Sequence, residues 1–284
     1  MKFLILGCSG MAGHMIGLYL KEKGQQVLGV SRKEIPYINC LSMDVTNVAP
    51  LQELIMEGSF DVIVNAIGIL NDSAENDKQN AILLNSYLPH FLTSVTKNLK
   101  TRIFHMSTDC VFRGNTGPYF ENSFPDGRSF YDRTKALGEI NDNKNLTLRN
   151  SIIGPDLNKE GIGLFNWFAQ QRGVIYGYEN VLWNGITTLE LAKAILLAAE
   201  SDVTGLVNLT PKKPISKAGL LRLVNDIIFD KRVTVKSNFD IKLDKSLTRS
   251  NFNFDYVVSD YKDQMVDLKE WLINHKDLYN HYWS

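Results

Sequence analysis

The fold is decided by an opening stretch that reads Lys2-Phe3-Leu4-Ile5-Leu6-Gly7-Cys8-Ser9-Gly10-Met11-Ala12-Gly13. Its apolar half predicts a buried parallel strand, and its glycine-rich half predicts a tight turn into a helix. Gly7 permits the turn, Gly10 permits close approach of a pyrophosphate, and Gly13 permits close packing of helix on strand. Free backbone N–H groups and the helix dipole favour a phosphate there. The candidate dinucleotide contacts in this stretch are Gly7, Gly10, Met11, Ala12 and Gly13.

Beyond this stretch, short apolar runs alternate with amphipathic ones, which is the pattern of a parallel sheet flanked by helices. The predicted strands of the first half are residues 2–6, 26–30, 38–43, 61–65, 102–106 and 146–152. Predicted helices follow at 48–57 and at 79–97, and Pro89 is expected to kink or break the second of these. Residues 114–128 are rich in Gly, Pro, Asn and Ser and predict a long loop.

The second half of the chain shows a different pattern of predicted elements. Helices predicted near residues 163–171, 188–200, 217–229 and 262–274 are separated by short strands and polar turns. The predicted fold class is therefore α/β, a doubly wound parallel sheet (Rossmann) with a smaller mixed α/β substrate lobe. The expected division is a dinucleotide-binding domain at 1–155 and a substrate-binding lobe at 156–284. The boundary is approximate and allows for interleaved strands.

Composition and charge exclude several classes of protein. The 284 residues are 44% hydrophobic and carry 31 basic and 31 acidic side chains, for a formal net charge of zero. This balance lacks the basic footprint of a nucleic-acid binder or of a membrane-surface protein. The opening apolar run is shorter than the roughly 7–15 residues of a signal peptide core, and no run approaches the roughly 18 of a membrane span. We therefore expect a cytoplasmic protein with neither nucleic-acid nor membrane partners.

The cysteines and histidines predict no metal site. Cys8, Cys40 and Cys110 are odd in number and widely spaced, so they form neither a disulfide framework nor a zinc pattern. The five histidines show no metal-ligand spacing. No bound metal is expected.

The end of the second predicted strand bears on the choice of dinucleotide. It reads Val30-Ser31-Arg32-Lys33 and has no carboxylate for a ribose 2′-hydroxyl. A 2′-phosphate would be bound by Arg32 through paired hydrogen bonds, and by Ser31. The sequence therefore favours NADPH as the cofactor, with NADH as the alternative. Later strand ends add candidate cofactor contacts at Asp44, Val45, Ala66, Ile67 and Gly68.

Tyr131 and Lys135 form a candidate catalytic pair. Residues four apart share one face of a helix, so both side chains can point at one site. A nearby ammonium is expected to lower the pKa of Tyr131 from its usual value of about 10 toward the working range. The phenol would then act as a general acid toward a carbonyl oxygen. Thr108, 23 residues earlier at the end of a predicted strand, would hydrogen-bond the same oxygen.

At these residues the chain resembles the extended short-chain dehydrogenases/reductases, and specifically the dTDP-4-dehydrorhamnose reductase family. The resemblance rests on the glycine turn, on Asn65-Ala66, on Ser107-Thr108-Asp109-Cys110-Val111-Phe112 and on Tyr131-Asp132-Arg133-Thr134-Lys135-Ala136-Leu137-Gly138-Glu139. It covers residues 1–150 well and the remainder in outline. It implies reduction of the C4 ketone of a nucleotide-linked 6-deoxy-hexosulose. It also implies that Thr108, Tyr131 and Lys135 are catalytic, and that Lys135 binds the nicotinamide ribose.

The chain departs from the family pattern beside the expected sugar site. Cys110 stands where the family commonly has tyrosine, and Arg113 where it commonly has aspartate. These departures leave the particular sugar open. A core aromatic at Trp183 and a helix cap at Thr187 are the structural alternatives to a sugar site in this region. The candidate substrate contacts are Asp109, Trp183 and Asn184.

Three alternative functions share this scaffold. The stretch Trp183-Asn184-Gly185-Ile186-Thr187-Thr188 is similar to reductases of UDP-2-acetamido-2,6-dideoxy-4-hexuloses. An epimerase or a dehydratase on the same scaffold is another alternative. A dehydratase typically has an Asp-Glu pair after the catalytic threonine, and Asp109-Cys110 here argues against dehydration. A non-catalytic, dinucleotide-bound regulatory subunit is also similar to this family and would keep the same three residues.

Two further features have open interpretations. Asn85 resembles a residue that supports the proton relay of short-chain reductases, but it would equally satisfy the backbone of a kinked helix. The aromatic tail at residues 279–283 is either a packing surface or the contact of a homodimer.

Overall fold

The structure, a computed structural model, describes residues 1–283. Its strands are β1 (Lys2–Leu6), β2 (Gln26–Ser31), β3 (Asn39–Ser42), β4 (Val62–Asn65), β5 (Arg102–Thr108), β6 (Leu146–Asn150), β7 (Ile152–Ile153), β8 (Gly173–Tyr178), β9 (Val181–Trp183), β10 (Ile186–Thr187), β11 (Gly205–Asn208), β12 (Ile215–Ser216), β13 (Val233–Asn238) and β14 (Leu243–Asp244). Its helices are α1 (Met11–Glu22), α2 (Val48–Gly58), α3 (Asn71–Asn76), α4 (Lys78–Ala81), α5 (Leu88–Val95), α6 (Phe130–Leu137), α7 (Leu164–Ala169), α8 (Thr188–Ala199), α9 (Lys217–Ile227) and α10 (Tyr261–Asn274). Within this range no helix has the length and apolar character needed to cross a membrane.

One parallel sheet of seven strands organises the chain. Its order is β11-β6-β5-β4-β1-β2-β3, and each neighbouring pair runs parallel. The chain moves from β1 outward to β3, then returns to the other side of β1 with β4, β5 and β6. Sheets wound in this way bind ligands at the carboxyl edge where the winding reverses, here between β1 and β4. The predicted doubly wound α/β fold is confirmed.

The central strand β1 shows why the opening stretch decides the fold. Phe3, Leu4, Ile5 and Leu6 are all fully buried. Successive side chains of a strand point to opposite faces, so Phe3 and Ile5 join the core that includes α1 and α8. Leu4 and Leu6 join the core that includes α2 and α5. A strand covered on both faces reads as an uninterrupted apolar run.

Two predicted elements are divided in the structure. The helix predicted at 79–97 becomes α4, a π-helical turn at Ile82–Tyr87, and α5. Pro89 lies in the first turn of α5, directly after the π-helical turn, and its missing N–H leaves the carbonyl oxygen four residues earlier without an α-helical partner. The break expected at Pro89 therefore lies earlier, in the π-helical turn. The predicted strand at 146–152 divides into β6 and β7, which belong to different sheets.

The second half of the chain builds small sheets and also rejoins the first half. β8 pairs with β13, and β9 lies between β12 and β14. β11, however, extends the main sheet beside β6, and α8 packs against α1. Strands from the two halves therefore interleave, and the division at residue 155 remains a prediction.

The C-terminal aromatic tail packs into the chain itself. Tyr279 and Tyr282 are buried. The Tyr279 hydroxyl lies 2.8 Å from Nε2 of His14 in α1, and the other ring nitrogen lies 3.0 Å from the carbonyl oxygen of Gly10. Burial lowers the pKa of His14 to about 4, so the ring is neutral near pH 7. The tail thus packs against α1, the helix that follows the glycine turn, and stabilises its position.

Gly13 provides a test of this packing. A Cβ atom at Gly13 would lie 2.1 Å from the carbonyl oxygen of Gly7. We expect Gly13→Ala to lower the free energy of unfolding by about 3 kcal/mol, since helix and turn must separate. Gly24→Ala is the control, because Gly24 has open space around it and only its positive φ costs roughly 1 kcal/mol. Urea denaturation measures both, and equal losses would contradict the close contact.

Candidate active site

The glycine turn presents a helix start that can bind an anion. Gly7 has a φ of 81°, which glycine adopts without strain. Gly10 caps α1 with extended backbone, and no side chain accepts from the first turn. The N–H groups of Met11, Ala12 and Gly13 precede the first intrahelical bond, so they remain available. The turn therefore fits the pyrophosphate of a dinucleotide.

A cavity of about 400 Å³, here called the glycine-turn cavity, lies over this turn. The predicted cofactor contacts that line it are Gly7, Gly10, Ser31, Arg32, Asp44, Val45, Ala66, Ile67 and Gly68. These residues come from the ends of four strands, and the structure brings them together at one edge of the sheet. Their roles as cofactor contacts remain a prediction.

Arg32 and Ser31 differ in their availability to a ligand. The Ser31 side chain is buried, and its hydroxyl donates to the carbonyl oxygen of Lys33. The Arg32 side chain is exposed, and no residue among 1–283 forms a hydrogen bond or ion pair with its guanidinium. Nearby, hydrogen bonds from the N–H and hydroxyl of Thr46 lower the pKa of Asp44, and the charge of Arg32 lowers it further. Arg32 is thus the free cation of this cavity.

A second cavity of about 360 Å³, here called the catalytic cavity, lies at the carboxyl ends of β5 and β6. Its predicted site residues are Met11, Ala12, Thr108, Asp109, Tyr131 and Lys135. The two cavities share the lining residues Gly10, Ala66, Ile67 and Gly68. One crevice therefore runs along the sheet edge from the glycine turn to Tyr131.

A capping box sets the start of the helix that carries Tyr131 and Lys135. The Ser129 hydroxyl accepts from the N–H of Asp132 at 3.0 Å. The Asp132 carboxylate accepts from the N–H of Ser129 at 3.1 Å. These reciprocal bonds satisfy the free N–H groups of the helix start. With the helix fixed there, Tyr131 and Lys135 lie one turn apart on the face toward the crevice.

Asn85 connects this helix to the loop that follows β4. Its amide exchanges two hydrogen bonds of 2.9 Å with the backbone of Ile69 and donates to the Thr134 hydroxyl at 3.1 Å. A Cβ atom at Gly138 would lie 1.9 Å from the carbonyl oxygen of Asn85, so α6 and the π-helical turn touch backbone to backbone. The amide therefore satisfies the Ile69 backbone rather than its own helix. A relay role for Asn85 remains a prediction.

Burial controls the protonation of Tyr131. Its side chain is only 7% exposed. Burial raises its pKa, the neighbouring Cys110 and Asp109 raise it further, and hydrogen bonding with Thr108 lowers it. The expectation that Lys135 lowers this pKa is therefore wrong, because desolvation of the phenolate dominates. Near pH 7 the phenol is protonated.

Lys135 is buried beside the same crevice. Its ammonium donates to the carbonyl oxygen of Met106 at 2.6 Å. Burial lowers the pKa of Lys135 to about 8, and the charge of Glu139 opposes that shift. A buried ammonium at the end of a strand thus titrates close to neutral pH.

A buried ion pair supports these groups from below. Glu139 binds Arg149 through two bonds of 2.8 and 2.6 Å, and also accepts from the Ser107 hydroxyl at 2.6 Å. Sequence reasoning did not assign a role to Arg149 or Ser107. The available signal was an arginine inside an apolar strand, because a buried guanidinium requires a carboxylate partner.

Thr108 is held at the end of β5. Its hydroxyl accepts from the N–H of Cys110 at 3.1 Å and donates to Asp109 at 3.2 Å. Burial raises the pKa of the Cys110 thiol to about 12, so this thiol stays protonated near pH 7. Both the Thr108 hydroxyl and the neutral Cys110 thiol belong to residues that line the catalytic cavity.

Trp183 and Asn184 lie outside both cavities. Trp183 is buried, and its indole N–H donates to the Ser151 hydroxyl at 2.8 Å. The Asn184 amide donates to and accepts from the backbone of Leu247, at 2.7 and 2.9 Å. Thr187 caps α8, as the structural alternative predicted. Substrate contacts by Trp183 and Asn184 remain a prediction, and their polar atoms are already engaged by the protein.

A third cavity of about 430 Å³ lies past the carboxyl end of β11 and is here called the β11-end cavity. β11 is the outer strand on the other side of the sheet from β2 and β3. Arg249 lines it, with two guanidinium nitrogens bound to the carbonyl oxygens of Asn251 and Tyr256. The third, Nη2, is buried and has no partner among residues 1–283. A donor left open in this way suits a ligand oxygen. Sequence reasoning did not assign a role to Arg249.

Proteins that join a glycine turn and a Thr/Tyr/Lys set at one edge of a doubly wound sheet form the class of short-chain dehydrogenases/reductases. Residues 1–151, more than half of the chain, match the family described as RmlD substrate binding domain. The chain therefore belongs to this family, the dTDP-4-dehydrorhamnose reductase family that the sequence predicted.

The matching relatives each align with about half of the chain. A probable low-salt glycan biosynthesis reductase Agl14 of Haloferax volcanii is 30% identical over 143 residues, 49% of this chain and 48% of its own. The methionine adenosyltransferase 2 subunit beta of Xenopus laevis is 30% identical over 140 residues, 49% and 41%. The dTDP-4-dehydrorhamnose reductase of Streptomyces griseus is 29% identical over 140 residues, 49% and 43%. The match spans less than half the length of each relative.

Solved structures match along nearly the whole chain. A hypothetical dTDP-4-dehydrorhamnose reductase from Sulfolobus tokodaii superposes with a TM-score of 0.76 at 25% identity, covering 92% of this chain and 98% of its own. A dTDP-4-dehydrorhamnose reductase from Bacillus anthracis superposes with a TM-score of 0.80 at 16% identity, covering 96% and 99%. The second half of the chain thus shares the fold of these proteins as well.

The low pKa of Lys135 predicts a pH dependence of stability. Its pKa is about 8 when folded, against 10.5 as the ordinary value, so the unfolded chain binds more protons between these values and stability rises with pH. From about pH 7.5 to about pH 9.5, wild type should gain roughly 2 kcal/mol relative to Lys135→Met. Urea denaturation at the two pH values measures this gain. Lys97→Met, at an exposed position, is the control, and a constant difference for Lys135→Met would contradict burial of the ammonium.

Proposed function

We propose that this protein uses NADPH to reduce the C4 ketone of a nucleotide-linked 6-deoxy-4-hexulose, for the biosynthesis of deoxysugars and cell-surface polysaccharides. The observation that carries this proposal is the convergence of Thr108, Tyr131 and Lys135 in a cavity continuous with the glycine-turn cavity. Adjoining cavities of this kind can hold a dinucleotide and a ketone side by side. Relatives named as dTDP-4-dehydrorhamnose reductases support the substrate class.

Each of the three residues has a distinct role in this proposal. Tyr131 donates its proton to the ketone oxygen, because near pH 7 the phenol is in the protonated form that a general acid requires. Thr108 hydrogen-bonds the same oxygen from the end of β5. A reduced nicotinamide bound in the crevice supplies the hydride. Lys135 binds the nicotinamide ribose, as the resemblance implies, and its ammonium stabilises the phenolate that remains.

The choice of NADPH over NADH rests on Arg32. Proteins of the same fold include a reductase in complex with NADP and a dehydratase in complex with NAD, so the fold by itself serves either dinucleotide. The Arg32 guanidinium lines the glycine-turn cavity without a partner among residues 1–283, which suits a 2′-phosphate. Ser31 would contribute only after its hydroxyl leaves the Lys33 carbonyl.

The nucleotide of the substrate is assigned to the β11-end cavity. A dinucleotide held by Gly7, Gly10 and Arg32 would occupy the β1–β3 side of the sheet edge, and a ketone held by Thr108 would lie over β5. The rest of the substrate would then extend toward β11. There the open Nη2 of Arg249 and the ammonium of Lys212 suit diphosphate oxygens. Phe252, 78% exposed, offers an aromatic face for the base. Asp109, in the catalytic cavity, remains the proposed sugar contact.

Two other functions stay open as alternatives. The sugar is a UDP-linked 2-acetamido-2,6-dideoxy-4-hexulose if the cavities favour an acetamido group. The protein is a non-catalytic, dinucleotide-bound subunit if it resembles the beta subunit of methionine adenosyltransferase 2 in function as well as in sequence. The cytoplasmic location and the homodimer remain predictions.

A substrate panel tests the reaction. Purified protein with NADPH and either dTDP- or UDP-linked 4-keto-6-deoxy sugars should oxidise the cofactor, followed by absorbance of the reduced nicotinamide. Tyr131→Phe should lower kcat by about 10²–10⁴-fold while binding NADPH normally, since only the proton donor is lost. Tyr87→Phe, at an exposed position, makes the same change outside the crevice and should be active. A wild type that oxidises no NADPH with any sugar of the panel would favour the regulatory subunit.

Arg32 predicts the cofactor preference. Removing its guanidinium in Arg32→Ala should raise KM for NADPH about 10–100-fold, the effect of one or two charge-assisted hydrogen bonds. KM for NADH should change by less than about threefold, because NADH lacks the 2′-phosphate. Lys33→Ala is the control, because it removes a neighbouring exposed cation that does not line the cavity. A wild-type preference for NADH, or equal changes in both KM values, would contradict the assignment.

A further inference from the structure

Asn150 ends β6 directly beside the end of β5. It is paired with Thr108 in the parallel register of the two strands, and both residues line the catalytic cavity. Neighbouring strands lie about 4.8 Å apart. A group on the strand end at Asn150 therefore lies next to any ketone whose oxygen Thr108 binds.

The amide of Asn150 lacks the partners that other buried asparagines have. Its side chain is 4% exposed, and its Nδ2 has no hydrogen-bond partner among residues 1–283. By contrast, the Asn145 amide accepts from the N–H of Ile103, and the Asn184 amide binds the backbone of Leu247 on both sides. A buried donor without a partner is unfavourable, and a half-turn of the amide would bring it to a ligand in the cavity. The contrast indicates a binding role for Asn150.

The position of Asn150 in the sheet favours the substrate over the dinucleotide. In the order β11-β6-β5-β4-β1, β6 lies on the far side of β5 from the glycine turn at the end of β1. The dinucleotide enters from that turn, whereas the proposed nucleotide end of the substrate lies beyond β6. Asn150 therefore faces the sugar portion of the crevice.

The chemistry of the sugar identifies the partner. A C4 ketone has two ring neighbours, of which C5 carries the C6 methyl group and C3 carries a hydroxyl. We infer that Asn150 is a specificity-determining residue that donates a hydrogen bond to the C3 hydroxyl oxygen, an inference that rests on the proposed function. The two ends of an amide are nearly isosteric, so a half-turn about the Cβ–Cγ bond brings Nδ2 to the ligand.

The test compares each 4-keto-6-deoxy sugar with its 3-deoxy analogue. Wild type should prefer the 3-hydroxy ketone by about 100-fold or more in kcat/KM, because a site built to bind a hydroxyl rejects a ligand that lacks it. Asn150→Ala should reduce that preference below about tenfold and leave the Kd of NADPH unchanged. Asn150→Leu, which has nearly the same shape and no hydrogen-bonding group, should also lose the preference.

Ser151→Ala is the matched control. Ser151 also lines the cavity, but its hydroxyl is engaged by the indole of Trp183, so this variant should keep the preference. If Asn150→Ala leaves the preference for the 3-hydroxy sugar unchanged, with or without weaker NADPH binding, the inference is overturned. Calorimetry with the 3-hydroxy and 3-deoxy product sugars measures the same preference without turnover. Wild-type protein that prefers the 3-hydroxy product but reduces no ketone would refute the proposed function and uphold Asn150.

Discussion

The contact between α1 and the turn after β1 is the constraint on which the rest of the structure depends. Helix and turn meet so closely that position 13 has no space for a Cβ atom. This contact aims the open N–H groups of the helix start at the carboxyl edge of the sheet. The buried pair of His14 and Tyr279 holds the same helix from behind, so the end of the chain supports its beginning.

Burial sets the chemistry of the catalytic cavity by acting on two groups in opposite directions. Burial disfavours the charged form of each side chain. It therefore raises the pKa of Tyr131, whose phenolate is charged, and lowers that of Lys135, whose ammonium is charged, to about 8. At neutral pH the phenol is therefore protonated and the ammonium is mostly charged. A protonated phenol beside an ammonium can donate a proton to a carbonyl oxygen, because the ammonium favours the phenolate that remains.

Polar groups below the crevice are paired, whereas several that border it are not. Glu139 and Arg149 satisfy each other beneath the strand ends. Arg32, Asn150 and Arg249 each keep a donor without a partner among residues 1–283, and they mark the two ends and the middle of the sheet edge. A buried donor such as that of Asn150 or Arg249 is unfavourable when unpaired, and the exposed guanidinium of Arg32 is open to a ligand, so this pattern fits an extended ligand with oxygens along its length.

The sequence by itself determined the doubly wound sheet, the glycine turn and the family, because these depend on local signals: an apolar run, glycines at fixed spacing and two side chains one helical turn apart. It offered a helix cap at Thr187 as one of two alternatives, and the structure shows that cap. It could not show that β11 rejoins the main sheet, that a π-helical turn replaces the break at Pro89, or that burial outweighs Lys135 in setting the pKa of Tyr131. Only the tertiary structure decided these, because each depends on which distant residues surround a group rather than on its neighbours in the chain.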